Sequence, residues 1–323
     1  MNSPRGATRA AGLLLGFAAD RLLGDPRRGH PVASFGTLAT RLERSLYADS
    51  RARGVLYTSV LVGASAALGA PLERATRERP LAHTAVTAAA TWTVLGGRSL
   101  EREALAVHEL LAADDLAGAR HRLTYLVGRD TTTLVSGEIT RAVVESVAEN
   151  TSDAVTAPLV WGAIAGIPGL LAHRAANTLD AMVGYRNPRY ENFGWASARL
   201  DDLVNLPGSR LAGLAVLVAR PRQATAALAV WRRDAAGHPS PNGGVVESAF
   251  AGALGITLGG TNRYGDRVEH RPTMGDGPPP APDVVVRATG LATHVGTVAA
   301  LAASALAAAA GALLRAVRPN PVR

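Results

Sequence analysis

Apolar positions in this chain are gathered into long runs separated by polar stretches, and two-residue alternation is scarce, so the pattern predicts helices and not sheets. Residues 54–72 carry no charge and, as a helix, are long enough to cross a bilayer. Residues 81–97, interrupted by His83, and residues 289–314, rich in alanine with His294 one turn inside, are two further spans. Three runs are shorter or broken. These are 10–23, 154–171, where Pro158, Gly162, Gly166, Pro168 and Gly169 intervene, and 206–219, which contains Arg210. They are expected to be short or re-entrant, because unpaired backbone is tolerated in a membrane only where protein or water covers it. Between them lie the polar segments 98–153, 172–205 and 220–288. The expected fold is all-α, with residues 1–323 forming one membrane-embedded helical bundle.

Composition narrows the chemistry. Hydrophobic content of 47% with 4% aromatic favours closely packed helices with small residues at their contacts. There is no cysteine, which removes disulfides, thiolate nucleophiles and cysteine metal clusters. All 34 basic residues are arginine, so a Walker lysine, a Schiff base and a lysine base are excluded. The net charge of +8 comes from arginines spread among apolar runs, which fits loops beside a lipid bilayer and not nucleic acid. The start, Met1 to Arg9, is polar and basic like a signal peptide, yet Asp20 and Arg21 follow the apolar run with no clean cleavage site. That helix is expected to be retained. Residues 20–53 carry seven arginines and 98–153 six, against three in the 72–80 turn, which orients the polar segments towards the cytoplasm in a multi-pass cell-membrane protein.

The densest polar chemistry brackets the broken run 154–171. On its N-terminal side Glu145, Glu149 and Asp153 are four apart, in one slowly rotating row if helical. Like charges at that spacing repel unless a cation sits among them. Two readings are open: a solvated face with Arg141 neutralising Glu138 and Glu145, or a site in which Mg²⁺ joins carboxylates to phosphate. Asn150 and the Thr-Ser after it look like a helix end that would turn Asp153 towards such a site. On the C-terminal side Arg186, Arg189 and Arg199 alternate with Asp180, Glu191, Asp201 and Asp202, among Tyr185, Tyr190, Phe193 and Trp195. Guanidinium forks suit carboxylate and phosphate, and aromatic faces suit a flat ring; an interfacial belt is the plainer alternative. A full span at 154–171 would part these two groups, so 154–171 and 206–219 are expected to lie as a shallow pair under a site on one face. A site near mid-membrane is the alternative.

Other candidates are scattered. Asp20, Asp25 and His30 sit at a helix end beside two prolines, and Arg129 with Thr131 suits phosphate. His238, Ser240 and Asn242 stand in a Pro- and Gly-fixed loop. Gly259 to Asn262 is expected to be a turn, and residues 275–282 a proline-rich linker.

The runs Gly128–Thr131 (GRDT), Val144–Asp153 (VESVAENTSD), Asn177–Tyr185 (NTLDAMVGY), Phe193–Asp202 (FGWASARLDD) and His238–Asn242 (HPSPN) resemble the CobD/CbiB family of cobalamin biosynthesis. The likeness extends from GDP and HPV near the start to RPTMG at Arg271–Gly275; this chain has Val245-Val246 where members often have Trp-Pro. The resemblance implies a multi-pass adenosylcobinamide-phosphate synthase. Such an enzyme joins aminopropanol, or aminopropanol phosphate, to a propionate of adenosylcobyric acid, with ATP as co-substrate. Carried onto this chain with the residue chemistry, Glu145, Glu149, Asp153, Asp180, Asp201 and Asp202 form the pool for metal ligands and general base. Glu149, Asp153 and Asp202 are the tentative Mg²⁺ ligands. Arg129, Arg186, Arg189 and Arg199 bind phosphate and carboxylate, Asn150, Asn177, His238, Ser240 and Asn242 orient substrate, and Tyr185 and Trp195 pack on the corrin. Other late-pathway membrane enzymes are implied partners. A corrinoid carrier or a scaffold is the rival reading, and oligomeric state is left open.

Overall fold

The computed structural model describes residues 5–26, 29–185, 187–264 and 267–316. Twelve helices account for almost all of it: α1 Arg5–Leu23, α2 Pro31–Leu46, α3 Arg51–Thr76, α4 Pro80–Val94, α5 Gly97–Ala112, α6 Leu116–Leu123, α7 Ser136–Thr151, α8 Ala157–Val183, α9 Trp195–Ala219, α10 Ala224–Asp234, α11 Gly243–Leu254 and α12 Val284–Ala316. One antiparallel hairpin joins β1, Leu258–Tyr264, to β2, Arg267–Met274. Four helical stretches are long and apolar enough to cross a membrane, among the described residues: Arg51–Thr76, Ser136–Val183, Trp195–Ala219 and Val284–Leu313. The protein is therefore an all-α polytopic type. The segment expected at 81–97 forms only the 15 residues of α4, about 22 Å at 1.5 Å per residue and short of a bilayer core. The 14-residue run 206–219 is instead the second half of 25-residue α9, because the polar residues before it stay in helical register.

Close packing divides the chain into two compact units. The first comprises Met1–Leu95, Ala157–Val204 and Ala300–Arg323. Here α1 lies against α4 through small residues. A methyl group on Gly12 or Gly16 would fall 2.5 and 2.4 Å from the Cβ atoms of Thr87 and Thr91, the close approach that binds helices without large side chains. A small aromatic core of Tyr57 and Phe193, 5.0 Å between ring centroids, is completed by Leu61, Leu179 and Val183.

The expected break in the apolar run is real and is filled by protein. Helix α8 kinks at Gly166, where φ is +67° and ψ −146°, two residues before Pro168. Only glycine adopts this backbone without strain, and the proline supplies no N–H. The backbone groups freed by the kink find side-chain partners. Arg9 Nη1 donates to the carbonyl of Ala163 at 3.2 Å, and the N–H of Ile167 donates to Glu73 Oε2 at 3.0 Å. Arg9 Nη2 in turn donates to Glu73 Oε1 at 2.6 Å. His83 Nε2, 3.2 Å away, completes the cluster by donating to the same carboxylate while its Nδ1 accepts from Thr8 at 2.8 Å. The apolar stretch Ser136–Val183 is correspondingly well covered, 72% of its most apolar window being buried against 22% for Arg51–Thr76.

The second unit comprises Gly96–Thr156 and Asn205–Ala299. Its core is built from Val107, Leu123, Ile139, Val143, Phe250 and Leu291, with their neighbours on the same helix faces. The turn expected at Gly259–Asn262 is instead part of β1, with a register irregularity between Leu258 and Gly260. Gly259 and Gly260 have φ of +86° and +97°, so they form a bulge that bends the strand without ending it. What holds the strand there comes from α7. Arg141 donates through Nη1 to the carbonyl of Gly259 and through Nη2 to that of Thr261.

Replacing Glu73 with alanine strips partners from Arg9, His83 and the Ile167 N–H together. The expected loss is about 2–3 kcal/mol of stability. It is measurable as a lower unfolding temperature in detergent by tryptophan fluorescence, and an unchanged melt would remove the role given to this carboxylate.

Candidate functional site

Helix α7 does not stop at Asn150. It runs into a π-helical turn, Ser152–Thr156, and then into α8. The polar residues that suggested an end turn their side chains back along the helix. Asn150 Nδ2 donates to Ser146 O at 2.9 Å, Thr151 Oγ1 to Val147 O at 2.6 Å and Thr156 Oγ1 to Thr151 O at 3.0 Å. Amide and hydroxyl groups that bond to the preceding turn continue a helix and widen it. Asp153 is thus carried on the π turn.

Within the second unit, Glu145 is 3% exposed and both of its oxygens are engaged. Oε2 accepts from Arg129 Nη2 at 2.5 Å and Oε1 from the Gly259 N–H at 3.0 Å, with Arg141 Nε 3.9 Å away. One turn on, half-buried Glu149 makes no hydrogen bond among the described residues but lies in the fields of Arg271, Glu145 and Arg129. Glu247, 1% exposed on α11, adds a third carboxylate to this neighbourhood. Burial raises its pKa well above the ordinary value near 4.5, and the charges of Glu145 and Glu149 raise it further against Arg271 and Arg129. Both effects favour its protonated form.

His238 joins the cluster from the loop before α11. Its Nε2 lies 3.5 Å from Glu247 Oε1 and 3.4 Å from Arg271 Nη1. With Nδ1 accepting from the Ser240 N–H at 3.1 Å, Nε2 carries the proton towards Glu247; with Nδ1 donating to the Ser240 carbonyl at 3.2 Å, Nε2 is free to accept. Burial lowers its pKa below the usual 6.5, and the neighbouring Arg271 adds to that. His238 is a neutral imidazole able to take a proton. Ser240 and Asn242 hold the loop: Ser240 Oγ accepts from the N–H groups of Asn242 and Gly243, and Asn242 Oδ1 accepts from Ser209 Oγ at 2.9 Å and Arg210 Nη1 at 3.0 Å.

The remaining expected residues belong to the first unit. Asn177 Nδ2 donates to Asp201 Oδ1 at 3.4 Å, and Arg199 lies 3.7 Å from Asp202 on an exposed helix face. Asp180 sits beside Gly184, whose Cβ would fall 1.9 Å from its Oδ1. Arg189 is a structural anchor, bonded to Glu43 at 2.9 Å and stacked 4.2 Å over the ring of Tyr47. Tyr185 and Trp195 are exposed, the latter under the Arg51 guanidinium at 5.4 Å. Buried Asp20 lies on α1, while His30 caps α2, its Nδ1 accepting from Val32 N, with Nε2 3.7 Å from Asp25. Arg186 lies outside the described residues.

Sequence reading missed Glu247 and Arg271 as site residues. Glu247 stands inside an apolar run, and only its burial beside other carboxylates marks it; Arg271 is reached from the hairpin, which the Gly-Gly pair disguised as a turn. No three His, Asp or Glu side chains gather as a metal site among the described residues. Mg²⁺ needs no such trio when phosphate oxygens complete its shell. Glu145 has no oxygen to offer it, whereas Glu149 does.

Helices able to span a bilayer, a kinked apolar helix sealed by polar side chains and a half-buried cluster of carboxylates, guanidinium groups and an imidazole define a polytopic membrane protein with a chemical site. Residues 13–292 match the family described as CobD/Cbib protein. The chain is 50% identical over 277 residues to cobalamin biosynthesis protein CobD of Mycobacterium tuberculosis strain H37Rv, covering 84% of this chain and 88% of that one. It is 48% identical over 273 residues to the CobD of Geobacter metallireducens, covering 82% and 86%, and 41% identical over 293 residues to that of Rhodobacter capsulatus, covering 87% and 92%. No solved structure matches. The chain belongs to the CobD/Cbib protein family.

Two titrations of stability follow from the cluster. The raised pKa of Glu247 means that its contribution is complete below about pH 4.5 and is lost as pH rises through the raised value. The lowered pKa of His238 means that its contribution is complete above about 6.5 and is lost as pH falls through the lowered value. Unfolding temperature is expected to fall on both sides, and Glu247→Gln to flatten the alkaline side alone. A Glu247→Gln profile that keeps the alkaline fall would assign that limb to another group.

Proposed function

We propose that this protein acts in cobalamin biosynthesis as an ATP-dependent carbon–nitrogen ligase. In this reading it joins (R)-1-aminopropan-2-ol, or its O-phosphate, to the propionate carboxylate of adenosylcobyric acid. The observation that carries the reading is the half-buried cluster of Glu149, Glu247, His238, Arg271 and Arg129 in a member of this family.

Amide formation from a carboxylate needs three things that this cluster is suited to supply. A carboxylate oxygen attacks the γ-phosphorus of ATP, its bond to ADP breaks, and an acyl phosphate forms; Arg129 and Arg271 offset the gathering negative charge. The amine must then lose a proton before its lone pair attacks the acyl carbon. Neutral His238 would be the base for that step, and the carboxyl group of Glu149 would orient the amine by hydrogen bonding. Collapse of the tetrahedral intermediate expels inorganic phosphate, and Glu247 in its protonated form would hydrogen-bond an oxygen of the leaving group. The balance is acid plus amine plus ATP giving amide, ADP and phosphate. Mg²⁺ would supply Lewis-acid neutralisation of the ATP phosphates, held by Glu149 with Asp153 nearby on the π turn.

The test is amide formation by the purified chain in nanodiscs, with adenosylcobyric acid, each amine and Mg²⁺, with and without ATP. His238→Ala is expected to lower kcat about 100-fold or more while leaving the fold intact. Corrinoid binding without product from either amine would instead favour the carrier reading. In the active protein, the pH–rate profile is expected to lose activity as His238 protonates on the acid side. On the alkaline side it is expected to fall as Glu247 ionises, and the Glu247→Gln variant to lack that limb.

A further inference from the structure

The first unit holds a cavity, open on one side, between α2, α3, α4 and α8 that none of the proposed chemistry uses. Its walls are apolar, with Val32, Phe35, Leu68, Val94 and Leu171 among them, and one cation enters it, Arg174 of α8. That guanidinium makes no hydrogen bond among the described residues, and its Nε is completely buried without a partner. The opposite charge nearest in effect is Asp25, which acts on it through space only and is shared with His30 at 3.7 Å.

A guanidinium N–H sealed from solvent with no acceptor is costly, as Arg174 Nε is here, and such groups are nearly always paired. What would satisfy it must be anionic and must also tolerate apolar walls. Pro31 and Val32, the first residues of 16-residue α2, line the same cavity and add the positive end of a helix dipole. The apolar wall then continues outward: Leu68 and Leu72 of α3 are 64% and 43% exposed, on a helix with span-like hydropathy. An inorganic anion would trade its hydration for a single arginine. An anion carried on a hydrocarbon chain gains from both parts of the cavity.

We propose that this cavity binds one anionic phospholipid, its phosphate on Arg174 and an acyl chain along Phe35, Leu68 and Leu171. The site is independent of the ligase chemistry and stands or falls separately. Full-length protein would be purified in mild detergent from membranes containing phosphatidylglycerol and phosphatidylethanolamine, and retained lipid counted by native mass spectrometry. Phosphatidylglycerol is expected to be retained, and Arg174→Gln to reduce its retention roughly ten-fold, the worth of a charge-assisted phosphate contact. Arg174→Lys should recover part of it. Ala175→Phe, which fills the cavity and leaves the guanidinium in place, should also abolish retention, and decides the matter if Arg174→Gln does not fold. Equal retention by wild type and folded variants would overturn the proposal, as would equal retention of phosphatidylethanolamine. Stabilisation by millimolar inorganic phosphate with no response to phosphatidylglycerol would show a small-anion site and overturn the lipid assignment.

Discussion

One buried carboxylate holds the second unit's site together. Glu145 accepts from a side chain of the preceding loop and from the backbone of a strand more than a hundred residues later. Removing it would leave Arg129 and the Gly259 N–H without that acceptor inside protein, where unpaired charge is most expensive. The strand could then slip, and with it the hairpin that carries Arg271. Glu145 is thus a member of the charged row that positions the others, while Glu149, one turn along, keeps its oxygens available.

The first unit solves a different problem by similar means. An apolar helix that kinks at Gly166 must account for freed N–H and C=O groups, and it does so with Arg9 and Glu73 imported from α1 and α3. Both units spend their buried ions on backbone, where hydrogen bonds are otherwise hardest to replace. This explains why charged residues sit in otherwise apolar helices, where composition alone would read them as catalytic.

The helical architecture was legible because uncharged runs and broken runs are composed differently. Gly166 and Pro168 mark the kink in the sequence itself, and the row Glu145, Glu149, Asp153 marks a charged helix. The end of α7 is not legible at Asn150 and Thr151, because side chains that resemble a helix end bond the previous turn instead. The hairpin was hidden because its register is set by Arg141 and Glu145, at a sequence distance no local pattern reports. The site was half legible: His238, Glu149 and Arg129 have polar neighbours in sequence, whereas Glu247 lies within an apolar run and is distinguished only by what surrounds it in space.

Every cation around Glu149 is a guanidinium, and the sequence contains no lysine at all. An activated acyl group is a hazard to any protein that makes one, since a neighbouring lysine amine would be acylated in place of the intended acceptor. Guanidinium groups stay protonated and have no lone pair to offer. A cluster whose cations are arginines can therefore gather positive charge around a phosphate without adding an amine nucleophile of its own.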